Sequence, residues 1–270
     1  MIKAKLMSFV CSVLFIGIIF AAAFIFEPAK GGAATYLPGT CGCSMASSRQ
    51  NTDSDDPFPS ISNEPRLIAL TFDDGPSEYT LRLLDALKQR EAVATFFTAG
   101  EAVNTYPHIA YRIVAEGHEI ACHAYSHPFL TNLGADEIRI ELTNSRDAIY
   151  SATGAIPSMF RPPYGSFDSQ VRSVAAEFGM PLILWNVETA DWRDRDVELI
   201  LSRIINQRGV PLVRSGDIII MHDTLSTTVD AAIRTVDILH ELGFQFVTVS
   251  QLFDAKGIQP APGEVFSCAR

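Results

Sequence analysis

Apolar residues in this chain fall into three patterns: one unbroken run near the start, short blocks of three to six residues, and stretches with helical spacing. The run covers residues 6–26, about 21 positions, and follows Lys3 and Lys5. It has no polar face and is long enough to cross a bilayer as a helix. Short blocks at 67–72, 94–98, 119–121, 158–161, 181–185, 217–221 and 245–248 read as buried strands. Between them, Leu83, Leu84 and Leu87, then Ile138, Leu142 and Ile149, supply apolar helix faces. Val197, Ile200, Leu201, Ile204 and Ile205 follow the i, i+3, i+4, i+7, i+8 pattern, and Val229, Ala232, Ile233 and Val236 repeat it. Alternating strand and helix predicts a parallel sheet with helices outside. Seven strand blocks predict an α/β fold, a distorted (β/α)7 barrel, preceded by the N-terminal apolar helix.

The same pattern sets the expected boundaries: 1–27 a membrane anchor or signal segment, 28–64 a flexible linker, 65–256 a catalytic domain, and 257–270 a C-terminal tail. The linker is expected because Gly, Ser, Asp, Asn and Pro replace apolar residues there. A cleaved signal has a shorter apolar core, so the run length favours a single-pass anchor retained in the cell membrane. Secretion after cleavage, at Ala21-Ala22-Ala23 or Ala33-Ala34, is the alternative. Either way the lysines stay inside and the domain becomes extracytoplasmic.

Five polar clusters each sit just past the C-terminal end of an apolar block, the rim where barrels of this type carry active sites. Thr71-Phe72-Asp73-Asp74-Gly75-Pro76 offers adjacent carboxylates, and His123-Ala124-Tyr125-Ser126-His127-Pro128 offers imidazoles at i, i+4. That set suits one divalent metal with a free carboxylate beside it, three protein ligands leaving room for water and substrate. Arg161-Pro162-Pro163-Tyr164-Gly165 is too rich in proline to continue a strand. A cluster ending in Asp191-Trp192 and another at Ile220-Met221-His222-Asp223 complete the series.

With these five motifs in order between about residues 67 and 253, the sequence resembles the polysaccharide deacetylases, carbohydrate esterase family 4. The resemblance implies that Asp74, His123 and His127 hold the metal, zinc first, with cobalt, nickel or manganese admitted by the same donors. It implies Asp73 as general base, aimed and kept ionised by Arg161, and His222 as the acid that protonates the departing amine, oriented and kept charged by Asp191. The backbone N–H of Tyr164 is expected to stabilise the oxyanion, and Ile220 and Trp192 to line a pocket for the acetyl methyl. The implied reaction removes N-acetyl groups from N-acetylglucosamine units of a cell-envelope glycan or chitin-like oligosaccharide. An O-acetyl esterase, another metal-dependent amide hydrolase, and a non-catalytic envelope-binding module are the alternatives.

Some positions depart from the family pattern. Ala124 stands where a Ser or Thr usually braces the second motif, so one supporting hydrogen bond is expected to be missing. Glu188 replaces a common Asp, and Ile220 replaces a Leu. Cys122, where a polar residue is usual, reads as a buried small hydrophobe. Of the remaining cysteines, Cys41, Cys43 and Cys268 lie in the expected linker and tail, where an exported location permits a disulfide. A net charge of −10, from 31 acidic and 21 basic residues, repels phosphate backbones and excludes nucleic acid as a partner. The expected partners are a polysaccharide substrate and, through the N-terminal helix, the membrane; the domain is expected to act as a monomer.

Overall fold

The computed structural model describes residues 65–270. The apolar run, the anchor it predicts and the linker lie outside the described residues. Among the described residues no helix is long and apolar enough to cross a membrane.

In chain order the elements are β1 (Arg66–Asp73), α1 (Glu78–Gln89), β2 (Thr95–Thr98), α2 (Gly100–Thr105), α3 (Pro107–Ala115), β3 (Glu119–Cys122), α4 (Ala135–Thr153) and α5 (Ser169–Glu177). They continue with β4 (Leu182–Ile183), β5 (Val187–Glu188), α6 (Asp191–Asp194), α7 (Val197–Leu201), β6 (Ile218–His222), α8 (Ser226–Glu241), β7 (Phe244–Phe246), α9 (Val249–Ala255) and β8 (Val265–Phe266). Local chemistry sets several of the boundaries. The Ser77 hydroxyl accepts from the Tyr79 N–H, while Thr80 Oγ1 accepts from the Ser77 N–H, a reciprocal cap that starts α1. Gly154, at φ +73°, ends α4 in the left-handed conformation that glycine adopts at little cost.

The strands form a parallel sheet in the order β3-β2-β1-β6-β5, with β7 pairing to the first residues of β1. All of β1 except its first residue is buried, so both faces are apolar. The period of two sorts that strand: Ile68, Leu70 and Phe72 pack toward the helices, while Leu67 and Ala69 pack into a separate inner cluster with Phe97, Met159, Ile183 and Ile218. Thr71 and Asp73 continue the inner row, and β6 repeats the arrangement with Ile218, Ile220 and His222. Strand register sets Thr71 opposite Ile220 and Asp73 opposite His222.

Two of the seven expected strands are much shorter than the apolar blocks suggest. The block at 158–161 contributes one bridging residue, Phe160, paired to Cys122 on one side and Leu182 on the other. Pro157, Pro162 and Pro163 surround it and cannot donate to a ladder. The block at 181–185 shrinks to β4, and β5 follows almost at once to pair with β6. Residues 182–188 thus meet Phe160 at one edge and β6 at the other, and the sheet curls round on itself.

The segment 257–270, expected as a tail, is built into the fold. Its strand β8 pairs with β4, the Ala269 N–H donates to Gly216 O at 2.8 Å, and Cys268 and Ala269 are buried. Cys268 is disulfide-bonded. At Gly216, φ +94°, an added Cβ would come within 2.4 Å of that Ala269 carbonyl.

Because Phe160 is fully buried between β3 and β4, Phe160→Ala should cost about 3–5 kcal/mol in chemical denaturation. Ile156→Ala, at a side chain 71 % exposed, should stay within about 0.5 kcal/mol of the parent. Equal effects would mean that the buried Phe160 ring does not stabilise this edge of the fold.

Candidate active site

The five motif loops converge on one cavity of about 400 Å³, lined by Asp73, Asp74, His123, His127, Tyr164, Trp192, Ile220 and His222, with Trp185 and Glu188. Arg161 and Asp191 do not line it. Both are fully buried behind Asp73 and His222 respectively, where each makes its contact.

One donor from each of Asp74, His123 and His127 falls within 4.8 Å of the others. Asp74 Oδ1 is buried, faces His127 Nε2 at 3.1 Å and His123 Nε2 at 3.4 Å, and makes no well-directed hydrogen bond. His123 Nδ1 lies 2.7 Å from Arg161 O. A carbonyl can only accept, so Nδ1 carries the proton, and in the neutral ring the Nε2 lone pair points among carboxylates. Burial disfavours charge on His123, yet Asp73 and Asp74 outweigh it and raise its proton affinity. Burial likewise opposes ionisation of Asp74, and the two imidazoles reverse this and hold it well below the usual carboxylate range. Two imidazole nitrogens facing an orphaned carboxylate oxygen, with the Asp73 carboxylate beside them, fit a divalent cation.

Asp73 stands beside this group but is directed elsewhere. Arg161 Nη1 donates to Asp73 Oδ1 at 2.6 Å and to Thr71 Oγ1 at 2.8 Å. The rest of the guanidinium bonds Ile183 O and Leu184 O and lies over the Phe97 ring at 3.9 Å. Across the sheet, His222 Nδ1 meets Asp191 Oδ1 at 2.9 Å. Asp191 also accepts from the His222 N–H, Thr228 Oγ1 and Thr189 Oγ1. Desolvation alone would lower the His222 pKa; the bond to Asp191, its charge, and those of Asp73 and Asp74 raise it to about 9.

Left-handed backbone clusters here. Asp74 (φ 71°), Ala124 (φ 61°), His127 (φ 58°), Tyr164 (φ 62°) and Ala190 (φ 50°) all adopt it without being glycine. Such conformations concentrate at functional sites and persist where the surroundings hold them.

Several supporting residues escape sequence reasoning. At Ala124 the expected loss of a brace is met by Glu141 of α4, whose Oε2 accepts from the Tyr125 and Ser126 N–H groups and whose Oε1 accepts from Ser126 Oγ. Glu188, longer than the usual Asp, accepts from Trp185 Nε1 at 2.9 Å and the Ala190 N–H at 2.8 Å. Asp223 is fully buried, accepts from Thr80 Oγ1, and is pushed up to about 7 by burial. It fills the space beside Gly75, where an added Cβ would come within 2.1 Å of its carboxylate. Only its place after His222 hinted at a role. Cys122 is buried with its thiol toward Ser145 Oγ at 3.1 Å, and burial raises it to about 11. It is a packing residue here.

The family profile described as polysaccharide deacetylase matches residues 60–183. A peptidoglycan-N-acetylglucosamine deacetylase of Bacillus cereus is 36 % identical over 191 residues, covering 69 % of this chain and 68 % of its own length. This chain belongs to the polysaccharide deacetylase family. The peptidoglycan-N-acetylmuramic acid deacetylase PdaC of Bacillus subtilis is 40 % identical over 192 residues, which take in 71 % of this chain and 39 % of that protein. The solved structure of the peptidoglycan deacetylase PdaC from that species superposes with a TM-score of 0.67 at 38 % identity, covering 73 % of this chain and 94 % of the other.

The His222–Asp191 pair gives a direct prediction. In the metal-free protein the His222 ring should titrate near 9 by NMR, and Asp191→Asn should move it down toward the ordinary value of about 6.5. Because the folded value is raised, the stabilisation is full below the unfolded value and disappears as pH rises through about 9. A titration unmoved by the substitution would remove Asp191 as its cause.

Proposed function

We propose that this protein is a divalent-metal-dependent carbohydrate N-deacetylase that removes N-acetyl groups from N-acetylglucosamine units of a cell-wall glycan, peptidoglycan or a chitin-like oligosaccharide. One observation carries this reading: a single cavity holds an Asp-His-His donor set suited to a cation, a separate carboxylate fixed by a buried guanidinium, and an imidazole with a high proton affinity. The relatives named above, described as peptidoglycan deacetylases, support the substrate class.

Asp74, His123 and His127 would hold the cation, zinc first, with cobalt, nickel or manganese suiting the same donors. When bound, it would polarise the acetyl carbonyl and acidify water. Asp73, held by Arg161, takes the proton from the attacking water. The Tyr164 N–H stabilises the charge that develops on the carbonyl oxygen. His222 then gives its proton to the sugar nitrogen as the C–N bond breaks, and Asp191 steadies the charged ring until that step. Ile220 and Trp192 receive the acetyl methyl.

A glycan ester is the second reading, since the same site can attack an O-acetyl group. An alkoxide leaves without a proton far more easily than an amide anion does. The strong Asp191 support for a protonated His222 therefore favours the amide. The apolar run behind Lys3 and Lys5 supports export with the domain facing the wall, as a retained anchor or after cleavage.

The test is acetate release from peptidoglycan, chitin oligomers and acetylated xylan assayed side by side. Activity on the first two should vanish with chelator and return with Zn²⁺ or Co²⁺. Asp73→Asn should lower kcat by about 10²–10⁴-fold with metal content unchanged, and His222→Ala should do the same on amides. Full turnover after exhaustive metal removal would sink the mechanism; His222→Ala sparing the preferred substrate would hand the case to the ester.

A further inference from the structure

Tyr164 is a tyrosine in the left-handed region, φ 62° and ψ 8°, and the residue is 54 % exposed. Its turn is closed by only two backbone bonds, Gly165 N–H to Pro162 O and Ser166 N–H to Pro163 O. Neither uses the Tyr164 N–H, the group assigned to the oxyanion above. An L side chain seldom adopts this conformation, so something outside the turn must hold it.

The ring contacts supply that restraint, and they come from the other motif loop. The Tyr164 ring stacks on Phe129 with centroids 3.8 Å apart and planes 11° apart. It also meets the His127 ring edge-on at 4.6 Å, and its hydroxyl donates to His127 O at 3.4 Å. His127 and Phe129 are two residues apart, and His127 is itself left-handed. One short stretch of loop therefore grips the Tyr164 side chain from two directions. Phe129 does not line the cavity, although it is 49 % exposed. An exposed aromatic that touches no reacting group, yet is laid flat against one that does, acts through its neighbour.

We propose that Phe129 is a positioning residue, whose stacking on Tyr164 holds the left-handed turn that presents the Tyr164 N–H to the developing oxyanion. The inference rests on the deacetylase reading and assigns to that site a residue that does not touch substrate. It further predicts that the aim of the Tyr164 N–H depends on the loop that carries a metal ligand.

The test compares Phe129→Ala, Phe129→Leu and Phe129→Tyr in the zinc-loaded protein, on chitin oligomers of two lengths, with metal affinity measured by calorimetry. Backbone ¹⁵N relaxation at Tyr164 is followed in the metal-free protein. Phe129→Ala and Phe129→Leu should each lower kcat by about three- to tenfold, with KM and metal affinity unchanged and new motion at the Tyr164 amide. Phe129→Tyr, which keeps the flat ring, should restore both. Phe129→Leu guards against a folding failure, because it keeps apolar bulk at a half-exposed position. An unchanged kcat, or a KM that rises only for the longer oligomer, would overturn the proposal, the latter making Phe129 a sugar-binding surface. A parent protein that releases acetate from neither chitin oligomers nor peptidoglycan defeats the deacetylase reading instead, and the relaxation measurement still decides whether Phe129 holds Tyr164.

Discussion

A guanidinium shut away from water must find an acceptor for nearly every N–H it carries, and Arg161 finds them on several parts of the sheet. It bonds Asp73 and Thr71 on β1 and the carbonyls of Ile183 and Leu184 around β4, and it lies over the Phe97 ring of β2. The side chain that aims Asp73 thus also ties β1 to the segment around β4. Desolvation works against the charge on Arg161, and the Asp73 carboxylate is the main counterweight. Removing one partner of such a buried pair leaves the other uncompensated, typically at about 3–5 kcal/mol. Function and folding therefore share this interaction, because the carboxylate that would serve as base is also the one that keeps Arg161 inside.

Around that centre the chain accepts unfavourable backbone at several places, and each has a holder. Ala124 and His127 lie in the loop that Glu141 braces from α4. Ala190 donates to Glu188, which also ties down the Trp185 indole on the cavity wall. Asp74 begins a turn packed against the buried Asp223 carboxyl and the start of α1. The supporting groups come from helices or from residues at or just past a strand end. They stabilise loop shapes that the loops' own sequences would not choose.

Much of this was legible because strand ends carry both kinds of signal at once. An apolar block ending in Asp73-Asp74 or Met221-His222 announces a buried strand and, at its terminus, a polar group with nowhere else to go. The residues singled out from the motifs line one cavity or stand directly behind it. What stayed hidden depends on distant contacts. Glu141 reads as an ordinary helix-surface carboxylate until the second-motif loop is laid against it. Phe160 looks like part of a strand because apolar blocks report burial, whereas the flanking prolines decide how many ladder bonds form. Val265-Phe266 is too short for any periodicity to register, so the closing segment passed for a tail.

Gly75 and Asp223 occupy what amounts to a single volume, one residue contributing the absence of a side chain and the other the carboxyl that fills the gap. Positions 75 and 223, about 150 residues apart, are therefore not independent. A side chain at 75 demands a smaller residue at 223, and the two positions adjoin Asp74 and His222 in sequence. Anyone redesigning this pocket inherits a coupled pair just outside its lining, where a substitution at one position has to be planned with the other.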